Sequence, residues 1–340
     1  MGLKDISSGK MLIGAAVSSR LLENGRYADI VSREFSSITC ENEMKPECIL
    51  DREATLKAGD DGRAAMDFTN ANKVMDFAKA NGIKLRFHVL VWHNQTPRWF
   101  FAENWSMDAD APLVKRDTLL KRMENYIKDV MGYVNTAYPG LVYCWDVLNE
   151  FIEPDNEHPN GCRVRKNNWF AVLGEDVPRC AFTFARRYCA PGQKLFYNDY
   201  NEYEQPKRDF IIKMLRPLIA DGLVDGMGLQ SHLLMDYPSM DEYKKAIRDY
   251  ANEGLSLQIT ELDIKSLDPS EEGERLLARR YAEVFEAAAQ SGKVESLTLW
   301  GVTDAQSWLS KPGIPAYPLL FDRDYNPKKA YDAAKEILSR

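Results

Sequence analysis

Two glutamates, Glu150 and Glu261, each follow a short apolar run in distant parts of the chain. The first ends the segment WDVLNE at residues 145–150, and the second lies in ITELD at residues 259–263. Both segments are typical of strands, so two separate strands end in a carboxylate. Two facing carboxyl groups are the minimal apparatus for cleaving a glycosidic bond, because one protonates the leaving oxygen and the other attacks the anomeric carbon. The motifs therefore indicate glycoside chemistry if folding brings the two acids together.

Eight short apolar runs alternate with long amphipathic stretches along the sequence. The runs are continuously apolar, as expected of parallel strands covered on both faces. The predicted strands span residues 11–17, 37–40, 84–91, 141–147, 194–197, 226–230, 255–260 and 296–301. The periodicity between them predicts helices over residues 65–81, 115–137, 205–221, 240–251 and 271–291. Glycines that suit a left-handed C-terminal cap follow four of these helices, at positions 82, 222, 254 and 292.

Strand–helix alternation without an interrupting linker predicts the α/β class and a single (β/α)₈ TIM barrel, with residues 1–340 forming one catalytic domain. The alternative is a doubly wound open sheet, which usually carries a glycine-rich phosphate turn after its first strand. Residues 14–20 (GAAVSSR) lack that turn. The longest irregular stretch, residues 152–168, follows the first glutamate motif, and we expect it to be a loop at the mouth of the barrel.

The composition is that of an ordinary globular protein with an acidic surface. The chain has 340 residues, 45% of them hydrophobic, and a formal net charge of −7. Nucleic acids and anionic membranes need a basic face, so neither is expected as a partner, whereas a neutral sugar is compatible. No obligatory protein partner is evident. The N-terminal residues do not resemble a signal peptide, so the chain as it stands is expected to be soluble and cytoplasmic, with secretion after signal removal as the alternative.

Polar and aromatic residues follow nearly every predicted strand, at the end of a barrel where reactive groups cluster. The candidates, from the second strand to the eighth, are Glu41, Asn42, Lys45, His88, Trp92, Gln95, Asn149, Glu150, Tyr200, Gln230, His232, Glu261, Asp263, Trp300 and Trp308. Each residue alone has an ordinary structural explanation, such as a helix cap or a surface ion pair. A purely structural explanation of all of them would need a separate coincidence at almost every strand.

A metal site is the natural competitor wherever histidines lie beside carboxylates. Zinc barrels usually use His-x-His on one strand or closely spaced histidines on a helix. Here His88 and His93 are five residues apart on a strand that runs into a loop, so their side chains need not converge. The chain also lacks a serine nucleophile elbow and a glycine-rich phosphate loop. We therefore expect no metal and no cofactor.

The polar strand ends lie in seven motifs whose order resembles that of glycoside hydrolase family 10, the family of retaining endo-β-1,4-xylanases. The motifs are TCENEMK at 39–45, HVLVWHNQTP at 88–97, WDVLNE at 145–150, YNDYN at 197–201, GLQSH at 228–232, ITELD at 259–263 and WGVTD at 300–304. The resemblance runs from about residue 11 to residue 335. The two glutamate motifs are shared by a wider clan of barrel glycosidases, whereas the motifs at 39–45, 88–97 and 228–232 are more specific to this family.

The resemblance implies a role for each candidate. Glu150 would be the acid/base and Glu261 the nucleophile, with His232 and Asp263 holding the nucleophile and Asn149 bonding the sugar 2-hydroxyl. The residues implied for substrate binding are Glu41, Asn42, Lys45, His88, Trp92 and Gln95 on the glycone side, Trp300 and Trp308 as the wall over it, Tyr200 facing the aglycone, and Gln230.

The implied reaction is cleavage of internal bonds of xylan or xylo-oligosaccharides by double displacement, with carboxyl groups about 5–5.5 Å apart. One alternative is a different member of the clan, such as a β-1,4-glucanase or a mannanase. Another is a non-catalytic sugar-binding barrel, against which the intact pair of glutamates argues. Two departures from the family pattern, Pro46 after the lysine and Phe87 before His88, are expected to touch the glycone pocket and to affect specificity.

Overall fold

The computed structural model describes all 340 residues and contains a closed barrel of eight parallel strands. The strands are β1 (Leu12–Val17), β2 (Ser37–Cys40), β3 (Lys84–Phe87), β4 (Val142–Asn149), β5 (Lys194–Asp199), β6 (Gly226–Leu229), β7 (Ser256–Lys265) and β8 (Val294–Leu299). Each strand pairs in parallel with its neighbour in sequence, and β8 pairs with β1, which closes the ring. The predicted (β/α)₈ barrel is confirmed, and the open sheet is excluded.

One long helix follows each strand and packs outside the barrel. These helices are α1 (Gly25–Glu34), α2 (Thr69–Ala80), α3 (Arg116–Ala137), α4 (Val177–Tyr188), α5 (Gln205–Ala220), α6 (Met240–Asn252), α7 (Glu271–Ser291) and α8 (Lys329–Ser339). Shorter α-helices span Leu3–Ile6, Ser19–Leu22, Pro46–Ile49, Arg52–Ala58 and Asn168–Leu173, and 3-10 turns span Arg98–Phe100, Glu103–Trp105, Gly174–Asp176 and Asp304–Gln306. None of the helices combines the length and the apolar character that a bilayer crossing requires.

Local sequence signals explain where the long helices begin and end. Helix α6 starts at a capping box, in which Ser239 accepts from the backbone of Glu242 and the Glu242 side chain accepts from the backbone of Ser239. The predicted cap glycines at 82, 222, 254 and 292 all have positive φ, between 60° and 82°. Helix α2 begins later than predicted, because Ala65–Met66 pairs with Leu50–Asp51 as a short antiparallel ladder.

The strands reach further toward the cleft than their apolar runs predict. Strand β4 continues to Asn149, β5 to Asp199 and β7 to Lys265, and the predicted strand 84–91 splits into β3 and a short strand, Val91–Trp92, that pairs with β4. Residues 152–168 are not wholly irregular, since Ile152–Pro154 and Cys162–Val164 form an antiparallel hairpin. The apolar pattern stops at the polar residues near these ends, and the side chains of two of them, Asn149 and Asn198, bond each other at the barrel mouth.

A buried polar layer inside the barrel supports the strand ends. The guanidinium of Arg86, on β3, is fully buried, pairs with Asp146 and donates to Gln258 Oε1 at 2.6 Å. Removing one partner of such a buried pair typically costs about 3–5 kcal/mol. Gly228 is required beside this layer, because a Cβ there would lie 2.3 Å from Asn198 Oδ1 and 2.9 Å from Arg86 Nη2. The layer therefore leaves room for Asn198 at the floor of the site.

Candidate active site

A cleft of about 470 Å³ lies at the C-terminal ends of the strands and contains both glutamates. Its lining includes every sequence-predicted site residue except Gln95 and Asp263. Those two contact residues that line it: Gln95 donates to Asn42 at the surface, and the buried Asp263 bonds His232. Two further residues, Asn94 and Asn201, also line the cleft. Folding thus gathers the predicted set at one place on the molecule.

Glu261 lies on β7, is nearly buried, and has one hydrogen-bonding partner on each carboxylate oxygen. Asn198 Nδ2 donates to Glu261 Oε1 at 2.8 Å, and His232 Nε2 lies 3.2 Å from Glu261 Oε2. The other ring nitrogen of His232 is 2.9 Å from Asp263 Oδ1, and Trp308 Nε1 donates to Asp263 Oδ2 at 2.7 Å. Carboxylate, imidazole and carboxylate therefore form a chain whose geometry is fixed at both ends.

This chain of contacts determines the charge of Glu261. Burial alone would raise the pKa of Glu261, but the hydrogen bond from His232, the nearby imidazole of His88 and the amide of Asn198 lower it to about 2. Burial acts against protonation of His232, yet Asp263 and Glu261 raise its pKa well above the usual value. Glu261 is consequently an ionised carboxylate at neutral pH, beside an imidazole whose pKa is raised by the two carboxylates.

Glu150 directly follows β4 and has a different kind of environment. Its φ is 55°, a left-handed backbone conformation that is uncommon outside glycine. Trp92 Nε1 donates to its Oε2 at 3.0 Å, and Gln230 Nε2 donates to its Oε1 at 3.0 Å. His93 Nδ1 lies 3.9 Å from the same carboxyl, and burial and the charge of Arg165 lower the pKa of His93 to about 4. The groups that donate to the carboxyl of Glu150 are thus two uncharged ones, an indole and an amide.

Side-chain amides connect the two glutamates. Asn149 Oδ1 accepts from Asn198 Nδ2 at 2.9 Å and from Gln230 Nε2 at 3.2 Å. Because Asn198 also donates to Glu261 and Gln230 also donates to Glu150, a short path of hydrogen bonds joins one acid to the other. The amide of Asn149 is held in one orientation by this path. The two carboxyl groups that this path joins both line the cleft.

A polar group at the ends of β2 and β3 forms one end of the cleft. Lys45 Nζ donates to Asn42 Oδ1 at 3.1 Å and lies 5.0 Å from the centre of the Trp92 ring. Burial lowers the pKa of Lys45 and raises the pKa of Glu41. Hydroxyl groups of a sugar would find both donors and acceptors here, on side chains already held by one another.

Aromatic rings form the walls of the cleft. Trp300 is nearly buried and meets His88 edge-on, with 5.6 Å between the ring centres. Trp308 is 54% exposed and packs against His232, with 5.1 Å between the ring centres. His88 is itself held by Asp146, 2.9 Å from its Nδ1. An indole face supplies the large, rigid apolar surface that suits the flat C–H face of a pyranose.

Tyr200 is held from two sides at the other end of the cleft. Arg165 Nη2 donates to the Tyr200 hydroxyl at 2.8 Å, and Arg165 Nε donates to the backbone oxygen of Glu150 at 3.0 Å. The fully buried Lys207 lies 3.6 Å from the centre of the Tyr200 ring and pairs with Asp199 at 2.7 Å. This end therefore has one ring with a fixed orientation.

Sequence reasoning missed two residues that act on the predicted ones. Asn198 lies in the YNDYN motif but was given no role, although it bonds Glu261 directly. Arg165 lies at the end of the unexpected hairpin, and no periodicity or motif in residues 152–168 marks it. Phe87 and Pro46 do not touch the glycone pocket as expected: neither lines the cleft, both are buried, and the Phe87 ring centre lies 4.6 Å from that of Trp145.

Two other features of the molecule lie apart from this site. A cavity of about 800 Å³ opens at the N-terminal ends of β1, β7 and β8, and none of the predicted site residues lines it. No group of three or more His, Cys, Asp and Glu side chains has an arrangement that could hold a metal ion.

The fold and this cleft define a (β/α)₈ barrel with a pair of carboxylates at the C-terminal ends of β4 and β7. A sequence profile of glycosyl hydrolase family 10 matches residues 2–337. The chain belongs to that family.

Relatives with known names agree with the family assignment. The chain is 44% identical over 344 residues to endo-1,4-beta-xylanase B of Butyrivibrio fibrisolvens, covering 98% of this chain and 52% of the relative. It is 38% identical to the bifunctional endo-1,4-beta-xylanase of Ruminococcus flavefaciens, covering 97% of this chain and 33% of the relative. The chain thus spans about half, or less, of the length of these relatives.

Solved structures give the same result at the level of the fold. A Clostridium thermocellum endo-1,4-beta-D-xylanase in complex with xylohexaose superposes with a TM-score of 0.90 at 34% identity, covering 99% of this chain and 67% of that one. A protein solved in complex with xylotriose superposes with a TM-score of 0.85 at 33% identity, covering 99% of each chain.

Proposed function

We propose that this chain is a retaining endo-β-1,4-xylanase that hydrolyses internal bonds of xylan or xylo-oligosaccharides. The observation that carries the proposal is the arrangement of Glu150 and Glu261 in one cleft, joined through Gln230, Asn149 and Asn198. Family membership and the names of the relatives support the choice of xylan as substrate. In this proposal residues 1–340 act as one catalytic barrel.

In the first step of the proposed reaction, the ionised Glu261 attacks the anomeric carbon and Glu150 gives its proton to the departing oxygen. The glycosidic C–O bond breaks as the bond from carbon to Glu261 forms, which leaves a covalent glycosyl-enzyme. The low pKa of Glu261 supports the role of nucleophile, because the carboxyl is ionised throughout the neutral range. The contacts of Glu261 with His232 and Asn198 hold one lone pair of each oxygen and limit rotation of the carboxylate.

In the second step, Glu150 accepts a proton from water as the water attacks the same carbon and releases Glu261. The configuration at that carbon is inverted twice, so the product retains it. The change of role at Glu150 follows from charge: esterification removes the negative charge of Glu261, and a proton on Glu150 is then less favoured. Trp92 and Gln230 both donate to Glu150, and such contacts support its carboxylate form in this step.

The remaining residues are proposed to bind sugar rings on either side of the reacting bond. The polar group formed by Glu41, Asn42, Lys45 and Gln95 would bond glycone hydroxyls, and Asn149 would bond the 2-hydroxyl, a contact that strengthens as positive charge develops. Trp300 and Trp308 would cover the apolar ring face, and Tyr200 would contact the aglycone.

The test is release of reducing ends from xylan, carboxymethylcellulose and mannan under one set of conditions. We expect release from xylan to exceed release from the other two polymers by at least about tenfold, since a hexose differs by a whole CH₂OH group that the pocket must accommodate. Preferential release from cellulose or mannan would assign the chain to another substrate class. Binding of xylo-oligosaccharide without any turnover would make it a sugar-binding barrel.

A further inference from the structure

One tripeptide, residues 230–232, touches both carboxyl groups of the cleft. Gln230 Nε2 donates to Glu150 at 3.0 Å, and His232 Nε2 lies 3.2 Å from Glu261. Ser231, the residue between them, is completely buried and has a φ of 60°. A residue with a Cβ rarely adopts this conformation, and it persists only where the surroundings impose it. The contacts that hold Ser231 in this conformation therefore also orient Gln230 and His232.

The hydroxyl of Ser231 is held by two buried side chains behind the cleft. Its Oγ lies 2.7 Å from the hydroxyl of Tyr243, on α6, and 3.1 Å from Oε1 of Glu202, which follows β5. A serine hydroxyl has one proton and accepts through its lone pairs. Either hydroxyl of the Ser231–Tyr243 pair can donate, and the Ser231 hydroxyl also lies 3.3 Å from the backbone oxygen of Leu229. The contact with Glu202 is the one that links Ser231 to a buried carboxyl.

Glu202 is a buried carboxyl that the proposed reaction does not use. Its exposure is 0%, and its second oxygen, Oε2, has no hydrogen-bond partner. Burial raises the pKa of Glu202 to about 8, so the side chain is a neutral acid at neutral pH. The ionisable groups that act on it or are affected by it are Lys207, Asp199, Tyr203, Tyr243 and Tyr250. Burial of a polar group is costly unless the group is hydrogen-bonded, and the side-chain partner of the Glu202 carboxyl is Ser231.

We propose that Glu202 is a positioning residue of the active site, which fixes the turn at Ser231 and so aims Gln230 at Glu150 and His232 at Glu261. The inference rests on the proposed function and assigns a further residue to the same site. One anchor serves both acids, because the two contact residues are its immediate neighbours in the chain. Loss of the anchor is expected to lower kcat and to leave KM nearly unchanged, since Glu202 lies behind the cleft and does not line it.

The kinetic test compares three variants on an aryl xylobioside. Glu202→Leu is expected to lower kcat by about 10- to 100-fold, as small misplacements of catalytic groups do, with KM within about twofold of the wild-type value. Glu202→Gln keeps an acceptor for Ser231 and is expected to restore most of that loss. Tyr250→Phe is the matched control, because Tyr250 donates to the backbone oxygen of Glu202 at 3.1 Å and leaves the Ser231 contact intact. It is expected to lower thermal stability without lowering kcat.

A second readout does not depend on turnover. The contacts with Asp263 and Glu261 raise the pKa of His232, so an NMR titration of its imidazole reports whether His232 is still aimed at them. We expect the pKa of His232 to fall in Glu202→Leu and to stay at the wild-type value in Glu202→Gln. A wild-type protein without activity on any sugar would sink the proposed function, and this titration would still decide the role of Glu202.

Two results would overturn the proposal. One is a Glu202→Leu variant with wild-type kcat and a wild-type His232 titration. The other is a Glu202→Gln variant that loses as much as Glu202→Leu, which would mean that the hydrogen bond to Ser231 is not what matters. If Glu202→Leu does not fold, Ser231→Ala removes the hydrogen bond from its other end together with the contact to Tyr243, and Tyr243→Phe removes the second contact alone. A wild-type kcat and a wild-type His232 titration in Ser231→Ala, or an equal loss in Tyr243→Phe, would overturn the proposal.

Discussion

The ends of β4 and β7 carry the same side chain in two different settings. Glu261 has a side chain 7% exposed, beside the imidazole of His232 and an amide donor, and its pKa is lowered to about 2. Glu150 has a side chain 15% exposed, on a left-handed backbone, among an indole, an amide and a histidine whose own pKa is lowered. The comparison shows that the groups around a carboxyl determine the role it can take in the reaction. Those groups come from the ends of the neighbouring strands.

The largest effect is expected from Glu261→Gln, which removes the charge and keeps the shape. The amide cannot form the covalent intermediate, so turnover should fall by on the order of 10⁴-fold or more with every leaving group. Steady-state rates on a series of aryl xylobiosides check this. A variant that kept a substantial rate with good leaving groups would mean that Glu261 is not the attacking group.

A smaller and more selective effect is expected from Glu150→Ala. The variant lacks the proton donor, so hydrolysis of xylan should fall by about 10²- to 10⁴-fold, the usual contribution of general acid–base catalysis. Cleavage of an aryl glycoside whose leaving group needs no proton should be spared in the first step, visible as a burst of released phenol. Equal loss on activated and natural substrates would contradict the division of roles between the two acids.

The pH profile sharpens the comparison through His232→Phe. His232 and Asn198 lower the pKa of Glu261 against the rise that burial would cause, so loss of the imidazole should raise that pKa. Glu261 must be ionised to attack, and a raised pKa means that activity is lost at a higher pH as the solution is acidified. The acidic limb of kcat/KM should therefore move up by at least about one pH unit.

A control for this shift is Trp308→Phe, which removes the hydrogen bond to Asp263 and leaves His232 beside Glu261. Its acidic limb should stay close to that of the wild-type protein. The acidic limb of kcat/KM in His232→Phe could stay at the wild-type pH, or it could shift equally in both variants. Either result would mean that the contact with His232 is not what lowers the pKa of Glu261.

The smallest effect is expected from Arg165→Met, which acts on the Glu150 side alone. The variant loses hydrogen bonds to the backbone of Glu150 and to Tyr200, so KM for xylo-oligosaccharides should rise by about tenfold. Aryl glycosides without an aglycone sugar should be affected much less. Arg163→Met, on the same hairpin, is the matched control, because Arg163 pairs only with Glu153 and Asp155. Equal effects of the two variants would assign the change to the hairpin as a whole.

The sequence correctly predicted the repeated strand–helix units of the barrel and the cleft residues that lie in recognisable motifs. The eight apolar runs predicted the strands of the barrel, and the polar residues that follow them predicted the lining of the cleft. The predicted strands β4, β5 and β7 end too early, because Asn149, Asp199 and Asp263 are polar and the apolar pattern stops before them. Their polarity is satisfied by partners on other strands, and a linear pattern contains no information about such partners.

The contacts between distant segments account for what sequence reasoning missed. Arg165 reaches Glu150 and Tyr200 only because the hairpin folds back over the end of β4. Phe87 stands beside His88 in the chain, yet successive residues of a strand point to opposite faces, so Phe87 packs outside the barrel against Trp145. Adjacency in sequence was in this case a poor guide to adjacency in the site.

The account depends on which of the two acids becomes bonded to sugar. A xylobioside with fluorine at position 2 and a good leaving group slows breakdown of the covalent intermediate, because the fluorine disfavours positive charge at the anomeric carbon. Peptide mass spectrometry of the trapped protein then locates the sugar. We expect it on the peptide that contains Glu261. Sugar on the peptide that contains Glu150, or turnover to an inverted product with no trapped species, would contradict the account.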